Sequence, residues 1–450
     1  MFETVLVANR GEIARRVIRT LQQLGIKAVA VYSDVDAHLP HVREADDAVL
    51  LGPAPPAQSY LDVDAILEAA KVAGAQAVHP GYGFLSESAE FARRVAAAGL
   101  VFVGPSPEAI AAMGDKVNAR NAMAAAGVPV APGTTEPVHD VEAAVRAAAA
   151  LGYPLMVKAA GGGGGIGMAT VTGEGALRAS FEATRTRAER FFGDPAILLE
   201  RYVSGARHVE VQILGLADGR VVALGERECS VQRRHQKVAE ESPSPAVDGP
   251  LRERLCAAAV RAGEAVGYRN AGTVEFLLDP RTGEFFFLEM NTRLQVEHPV
   301  TELVTGLDLV AAQLRIAAGQ PVGFDPDAVR SRGHALELRV YAEDPRRFLP
   351  GPGRITTWRE PAGPHVRVDA GYAQGDTVTP HYDPLLAKLC VWGEDRPAAL
   401  ERARAAVGDF VIEGPKSNLA FFTDLLADPD FVSGAYDTGL VAKMRLATSS

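Results

Sequence analysis

Cysteine is scarce in this chain. Cys229, Cys256 and Cys390 form an odd set outside metal-ligand spacing, which excludes a disulfide framework and points to a reducing cytoplasm. Cys229 lies inside the richest motif region and could be reactive; it reads better as a buried, inert thiol. No run of about 18 apolar residues occurs and no charged-then-apolar leader opens the chain, so neither a membrane helix nor a signal peptide is expected. No basic domain offsets a formal net charge of −10, which argues against nucleic acid as the main partner. The fingerprint Gly-x-Gly-x-x-Gly is missing too. Thr4–Asn9 reads as a strand, but Asn9-Arg10-Gly11-Glu12 follows it, so a dinucleotide site is not expected there.

What is present suits a soluble enzyme. A chain of 450 residues with 47% hydrophobic content suggests about three domains with sizeable cores. Gly11–Leu24 has helical periodicity ending at Gly25, and Lys27–Ser33 reads as a second strand. Alternation continues through Asp64–Ala73, Ala77–His79, Ala89–Ala98 and Leu100–Val103. Strand, helix and strand within about 30 residues predict a βαβ unit and a parallel sheet.

The stretch Glu289-Met-Asn291-Thr-Arg293-Leu-Gln295-Val-Glu297-His places a polar residue at every second position. An extended strand would set these side chains in one row, able to bind a metal, grip an anion and move a proton. A solvated antiparallel strand alternates as well, so the neighbours decide. Upstream, Thr273-Val-Glu275-Phe-Leu-Leu, the turn-like Asp279–Gly283 and Phe285–Leu288 read as a β-hairpin. A loop centred on Thr282 places Glu275 opposite Glu289, within about 5.5 Å at Cβ. Opposed carboxylates need a positive charge between them, and Asn291 adds another hard oxygen. The set suits Mg²⁺ held partly by substrate phosphates.

Pro154-Leu-Met-Val-Lys158-Ala-Ala precedes five glycines, Gly161 to Gly165, and then Ile166-Gly167-Met168-Ala-Thr-Val. No Gly-Lys-Ser/Thr follows, so this is not a P-loop. Between two strands, successive glycines make a mobile flap whose N–H groups can close on phosphate oxygens, with Lys158 in reach.

Together these segments resemble the biotin carboxylase component of biotin-dependent acyl-CoA carboxylases, which are ATP-grasp enzymes. The resemblance spans nearly the whole chain. It is carried by Ala8-Asn-Arg-Gly-Glu-Ile-Ala14, His79-Pro-Gly-Tyr-Gly-Phe-Leu-Ser-Glu87, Met113-Gly-Asp-Lys116 and Lys158–Gly165. His208-Val-Glu-Val-Gln212, Gln232-Arg-Arg-His-Gln-Lys237 and Glu289–Pro299 complete the set. It implies an α/β (α+β overall) fold: a Rossmann-like parallel-sheet domain at roughly 1–115, an ATP-grasp core at 116–330 with a mobile lid at about 131–203, and a mixed C-terminal domain at 331–450.

By the same resemblance, Lys116 and Lys158 bind ATP, with Gly164 and Gly165 in the flap over its phosphates. Glu200, Arg201, Tyr202 and Val203 form the hinge holding adenine, and His208, Gln232 and His235 belong to the nucleotide site. Glu275 and Glu289, with Asn291, hold Mg²⁺ or Mn²⁺ beside the nucleotide. Lys237, Arg293, Gln295 and the Val296 amide bind bicarbonate, Glu297 is the base, and Tyr82 and Arg339 face biotin. The implied sequence is carboxyphosphate formation, its breakdown to CO₂ and phosphate, and carboxylation of deprotonated biotin. Bicarbonate is a poor nucleophile and needs a carboxylate to take its proton. Arg293 and Lys237 offset the accumulating charge, and Arg339 stabilises the enolate oxygen of biotin.

Two residues depart from the family pattern. Ile166 replaces the usual Arg after the glycines, a loss of about 1–3 kcal/mol in phosphate contacts. Arg201 replaces a hinge Lys and keeps the charge. No Ala-Met-Lys-Met sequence is present; Lys443 in Leu440-Val-Ala-Lys-Met444 is a weak echo and reads as a solvated lysine. Biotin is therefore expected on a separate biotin carboxyl carrier protein, with a carboxyltransferase subunit as the further partner. The resemblance also implies a homodimer, while the composition points to the cytoplasm with no nucleic acid or membrane partner. Two rival readings are an ATP-grasp ligase using urea or a small amine, and a catalytically weak ATP-binding regulatory subunit.

Overall fold

The computed structural model describes residues 1–160 and 168–447. Its first layer is a five-stranded parallel sheet in the order Asp47–Gly52, Lys27–Ser33, Thr4–Val7, Ala77–His79, Val101–Phe102. The three central strands are largely buried on both faces, as crossover helices require, while the edge strands Asp47–Gly52 and Val101–Phe102 are partly exposed. The helix Gly11–Gln23 and the strand Lys27–Ser33 match their sequence expectations within a residue. The expected element at Asp64–Ala73 is the helix Val63–Val72, which starts one residue earlier because the Asp62 side chain caps it by accepting from the Ala65 amide at 3.0 Å.

Strand order reverses between Thr4–Val7 and Ala77–His79, the place where open α/β sheets bind ligands. Here the segment that lacks the glycine fingerprint holds another loop. Asn9 Nδ2 donates to the Pro80 and Tyr82 carbonyls at 2.7 and 2.8 Å, fixing the Tyr82 loop at the sheet's mouth.

The second sheet is antiparallel and eight-stranded. Its order is Glu284–Asn291, Asn270–Asp279, Arg207–Gly215, Val221–Arg233, Gln236–Ser242, His334–Tyr341, Leu385–Gly393, Val366–Ala370. The last three strands lie beyond residue 330, so one sheet runs from the hairpin into the C-terminal part through the ladder between Gln236–Ser242 and His334–Tyr341. A third sheet of Met168–Val171, Leu155–Ala159 and Ile197–Arg201 packs with the helices Val141–Leu151 and Glu174–Phe192. It has its own core of Leu155, Val157, Leu177, Phe181, Ile197 and Leu199. The strands flanking the glycine run pair antiparallel. Gly164, Gly165 and the Ile166 substitution lie outside the described residues. No described helix is long and apolar enough to cross a membrane.

The hairpin corrects the sequence reading of its loop. Asp279 pairs with Glu284, so the turn is Pro280 to Gly283 and is not centred on Thr282. Continued without interruption, that register would set Glu275 opposite Leu288. A bulge at Leu288 shifts the ladder by one, and Glu275 pairs with Glu289 after all.

Candidate active site

Four neighbouring strands deliver most of the site, and period-two alternation aims their side chains at one face. Lys237 is its hub. Its ammonium donates to Glu210 at 2.5 Å, Glu297 at 2.7 Å and Glu275 at 2.8 Å. Burial alone would lower the Lys237 pKa, but the three carboxylates outweigh it and hold the amine well above its ordinary value. The buried Arg227 pins Glu210 from behind at 2.5 Å and also donates to Gln212, Thr273 and Thr301.

Glu275 gathers donors from several elements. Its Oε1 accepts from Lys237, from Asn291 at 2.8 Å and from Gln295 at 3.1 Å, while Oε2 lies 2.7 Å from His208 Nε2. Burial pushes this carboxyl up, but Lys237 and His208 overcome it and leave Glu275 well below the usual carboxylate range. Its cross-strand partner behaves in the opposite way. Burial and the charge of Glu275 raise Glu289, with Lys116 opposing.

An acidic pair with one member short of positive charge, next to the Asn291 amide oxygen, fits a hard divalent cation. Glu275, Glu289 and Asn291 are the residues that would hold it. His208, Glu210 and Glu275 also converge, but the Lys237 ammonium already lies among them.

The expected extended row from Glu289 to Glu297 is only partly a strand. The strand ends at Asn291, and the helix His298–Thr305 begins after a turn. Side-chain bonds replace the ladder there. Arg293 donates to Asn291 at 3.0 Å, to Gln295 at 2.7 Å and to Glu87 of the His79–Glu87 segment at 2.9 Å. Glu297 lies fully buried at the end of the row. It accepts from Lys237 and from Arg339 Nη2 at 2.9 Å. Burial raises this carboxyl, yet Lys237, Arg339 and Arg227 hold it well below its ordinary value. Cys229 Sγ lies 3.9 Å from Glu297; burial and the surrounding carboxylates keep the thiol protonated.

The remaining expected residues spread around this centre. Lys158 pairs with Glu200 at 2.6 Å on adjacent strands of the small sheet. Arg201 ends that strand exposed, and Tyr202 and Val203 follow it. Lys116 starts the helix Lys116–Ala125, with its amine lowered by burial and the charge of Glu289 opposing. Gln232 bonds His208 Nδ1 at 2.7 Å. His235 stands apart, exposed in a two-residue turn with Arg234, both at positive φ. The Tyr82 hydroxyl donates to Glu12. The Val296 carbonyl accepts from the buried Lys388 at 2.9 Å, which also pairs with Glu12 at 3.1 Å.

Sequence reasoning missed Glu210, Arg227, Glu240 and Lys388. The signal for Glu210 was available. His208-Val-Glu210-Val-Gln212 alternates as the Glu289 row does, and the same argument puts its polar residues on one face. Arg227, Glu240 and Lys388 carry no local pattern that sets them apart from ordinary strand residues.

Comparison with known proteins agrees with this arrangement. Residues 1–110 match the model for the biotin carboxylase N-terminal domain. Residues 115–324 match the carbamoyl-phosphate synthase L chain ATP binding domain, and 337–443 the biotin carboxylase C-terminal domain. The chain is 52% identical over 438 residues to biotin carboxylase 2 of Bacillus subtilis, covering 97% of this chain and 98% of that one. The crystal structure of a biotin carboxylase–β,γ-ATP complex from Campylobacter jejuni superposes with a TM-score of 0.96 at 42% identity, covering 98% of this chain and 99% of that one. The biotin carboxylase domain dimer of Hydrogenobacter thermophilus 2-oxoglutarate carboxylase, in complex with MgADP, ADP and bicarbonate, gives 0.94 at 42% identity and 98% coverage of each chain.

Proposed function

The chain belongs to the biotin carboxylase family, and from that premise we propose that it carboxylates biotin on a separate carrier protein, as the first half-reaction of an acyl-CoA carboxylase. It is an ATP-dependent carboxylase of the ligase class. The observation that carries the reading is Lys237 joined at once to Glu275 of the acidic hairpin and to Glu297, which also holds Arg339.

In this reading Lys237, Arg293, Gln295 and the Val296 amide hold bicarbonate. Glu297 takes its hydroxyl proton as a bicarbonate oxygen attacks the γ-phosphorus of ATP and ADP departs. Glu297 is a weak base while two cations grip it; bicarbonate drawing Lys237 away raises its basicity at the moment of attack. Carboxyphosphate then yields CO₂ and phosphate; the released phosphate takes the proton of the biotin ureido nitrogen, and that nitrogen attacks CO₂. Arg339 meets the charge on the ureido oxygen, with Tyr82 beside it. Lys116, Lys158, His208, Gln232, His235 and the segment Glu200 to Val203 serve ATP. When bound at Glu275, Glu289 and Asn291, Mg²⁺ or Mn²⁺ supplies charge to the phosphate oxygens.

The domain divisions near residues 115 and 330 and the lid at about 131–203 are part of the proposal; the separate core of the small sheet supports the lid. So are the carboxyltransferase partner, the homodimer, which the dimeric Hydrogenobacter relative supports, and a cytoplasmic location, which three free cysteines support. The test is ATP hydrolysis by the purified protein with a divalent ion present. Dependence on both bicarbonate and free biotin is expected. Hydrolysis supported by urea or a small amine, or none at all, would sink the reading.

A further inference from the structure

The surroundings of Arg339 hold more acid than the reaction above employs. In the ladder between Gln236–Ser242 and His334–Tyr341, Glu240 pairs directly with Glu337. Both are fully buried. Two carboxylates opposed across a dry ladder repel when both are ionised, so the pair retains a proton. Among the described residues, neither Glu240 oxygen has a hydrogen-bond partner, nor has Glu337 Oε1 or Arg339 Nε.

Glu240 Oε1 lies 2.6 Å from Arg339 Nη2 but off the hydrogen-bonding direction. The same nitrogen donates to Glu297 Oε2 at 2.9 Å. One guanidinium nitrogen is thus contested by the base and by a second carboxylate without an assigned task. The other groups facing Glu240 are Lys237 on its own strand, Cys229 on the strand before, and Glu337 and Tyr341 on the strand after; Lys388 lies beyond, against Glu337. Burial pushes the Glu240 carboxyl up to about 7, with Glu297 adding to the shift and Arg339 opposing it.

Resting on the function proposed above, we infer that Glu240 is a positioning residue for the biotin step. It competes with Glu297 for Arg339, and its ionised form loosens the Arg339–Glu297 pair. That release turns the guanidinium toward the ureido oxygen. With Glu240 protonated, Arg339 stays clamped on Glu297. Burial holds Glu337 well above the ordinary carboxylate range, with Glu240 adding to the shift, so Glu337 keeps the pair's proton.

The experiment follows ATP hydrolysis with and without free biotin across roughly pH 6 to 9. The wild type should show biotin stimulation rising through one ionisation near neutrality. Glu240→Gln should lower the ratio of biotin-stimulated to biotin-independent hydrolysis about tenfold at the alkaline end and flatten that limb. Glu337→Gln replaces a carboxyl that already keeps the pair's proton and should leave the limb in place. A purely structural role for Glu240 would leave the limb in place in its own variant. A wild-type limb retained in Glu240→Gln overturns the inference. So does loss of the limb in Glu337→Gln, which would make Glu337 the ionising group and decides alone if the first variant does not fold. Absence of biotin stimulation in the wild type would instead overturn the proposed function itself.

Discussion

Glu240 and Glu241 are neighbours on one strand, each 1% exposed, and their carboxyls shift in opposite directions. Alternation sends them to opposite faces of the sheet. On its face, Glu241 meets His334 Nε2 at 2.6 Å, both Nε and Nη2 of Arg396 at 2.6 and 3.1 Å, and the Tyr436 hydroxyl. Burial pushes Glu241 up, but these donors bring it down to about 2. Arg396 also bonds the Phe431 and Val432 carbonyls, so Glu241 ties the C-terminal helices to the sheet. Glu240 has equal burial but, among the described residues, only the contested Arg339 nitrogen beside it, and burial takes it up to about 7. Burial makes a carboxylate costly; the number of donors decides whether it becomes structural cement or remains available for chemistry.

The contrast breaks most visibly at Glu241. Glu241→Ala leaves Arg396 buried without its anion and should cost about 3–5 kcal/mol in chemical denaturation; a loss under about 1 kcal/mol would mean its donors contribute no more than a surface pair. Acid should act on the same residue next. The folded value lies below the unfolded one, so this stability is present above the unfolded value of about 4.3 and disappears as pH falls toward 2, a span worth ~3 kcal/mol. The Glu241→Ala variant should show a correspondingly shallower acid limb.

The smallest effect belongs to Glu240. A carboxyl raised in the fold subtracts stability as pH climbs from the unfolded value toward neutrality. Glu240→Gln should therefore keep wild-type stability, or exceed it by about 1 kcal/mol, near pH 8. A Glu240→Gln melting point well below that of the wild type would erase the distinction between the two neighbours.

Much of the fold was legible because local patterns dictated it. The apolar runs Lys27–Ser33 and Ala77–His79 occur as strands with the expected bounds, and the expected helices end within a residue of their periodic stretches, the start at Val63 being set by the Asp62 cap. The pairing of Glu275 with Glu289 was expected from a loop centre that is wrong by half a residue, and the bulge at Leu288 compensates for it. Alternation beyond Asn291 suggested a strand that the chain does not form, because a side-chain network can gather the same polar groups without a ladder. Lys388 and Arg227 escaped notice since a buried cation and a solvated one look alike in a sequence.

The sequence alone determined the kinds of element and the stock of chemical groups: alternating strands, a glycine run between two of them, and acids, amides and cations in hard-oxygen and anion-binding combinations. Those follow from periodicity and residue type, which are local properties. Tertiary structure decided which carboxylates are satisfied and which are starved of donors. Glu241 depends on Arg396 and Tyr436, and Glu240 on Arg339 and Glu337, partners about a hundred or more residues away that only folding brings within reach of a charge in a dry interior.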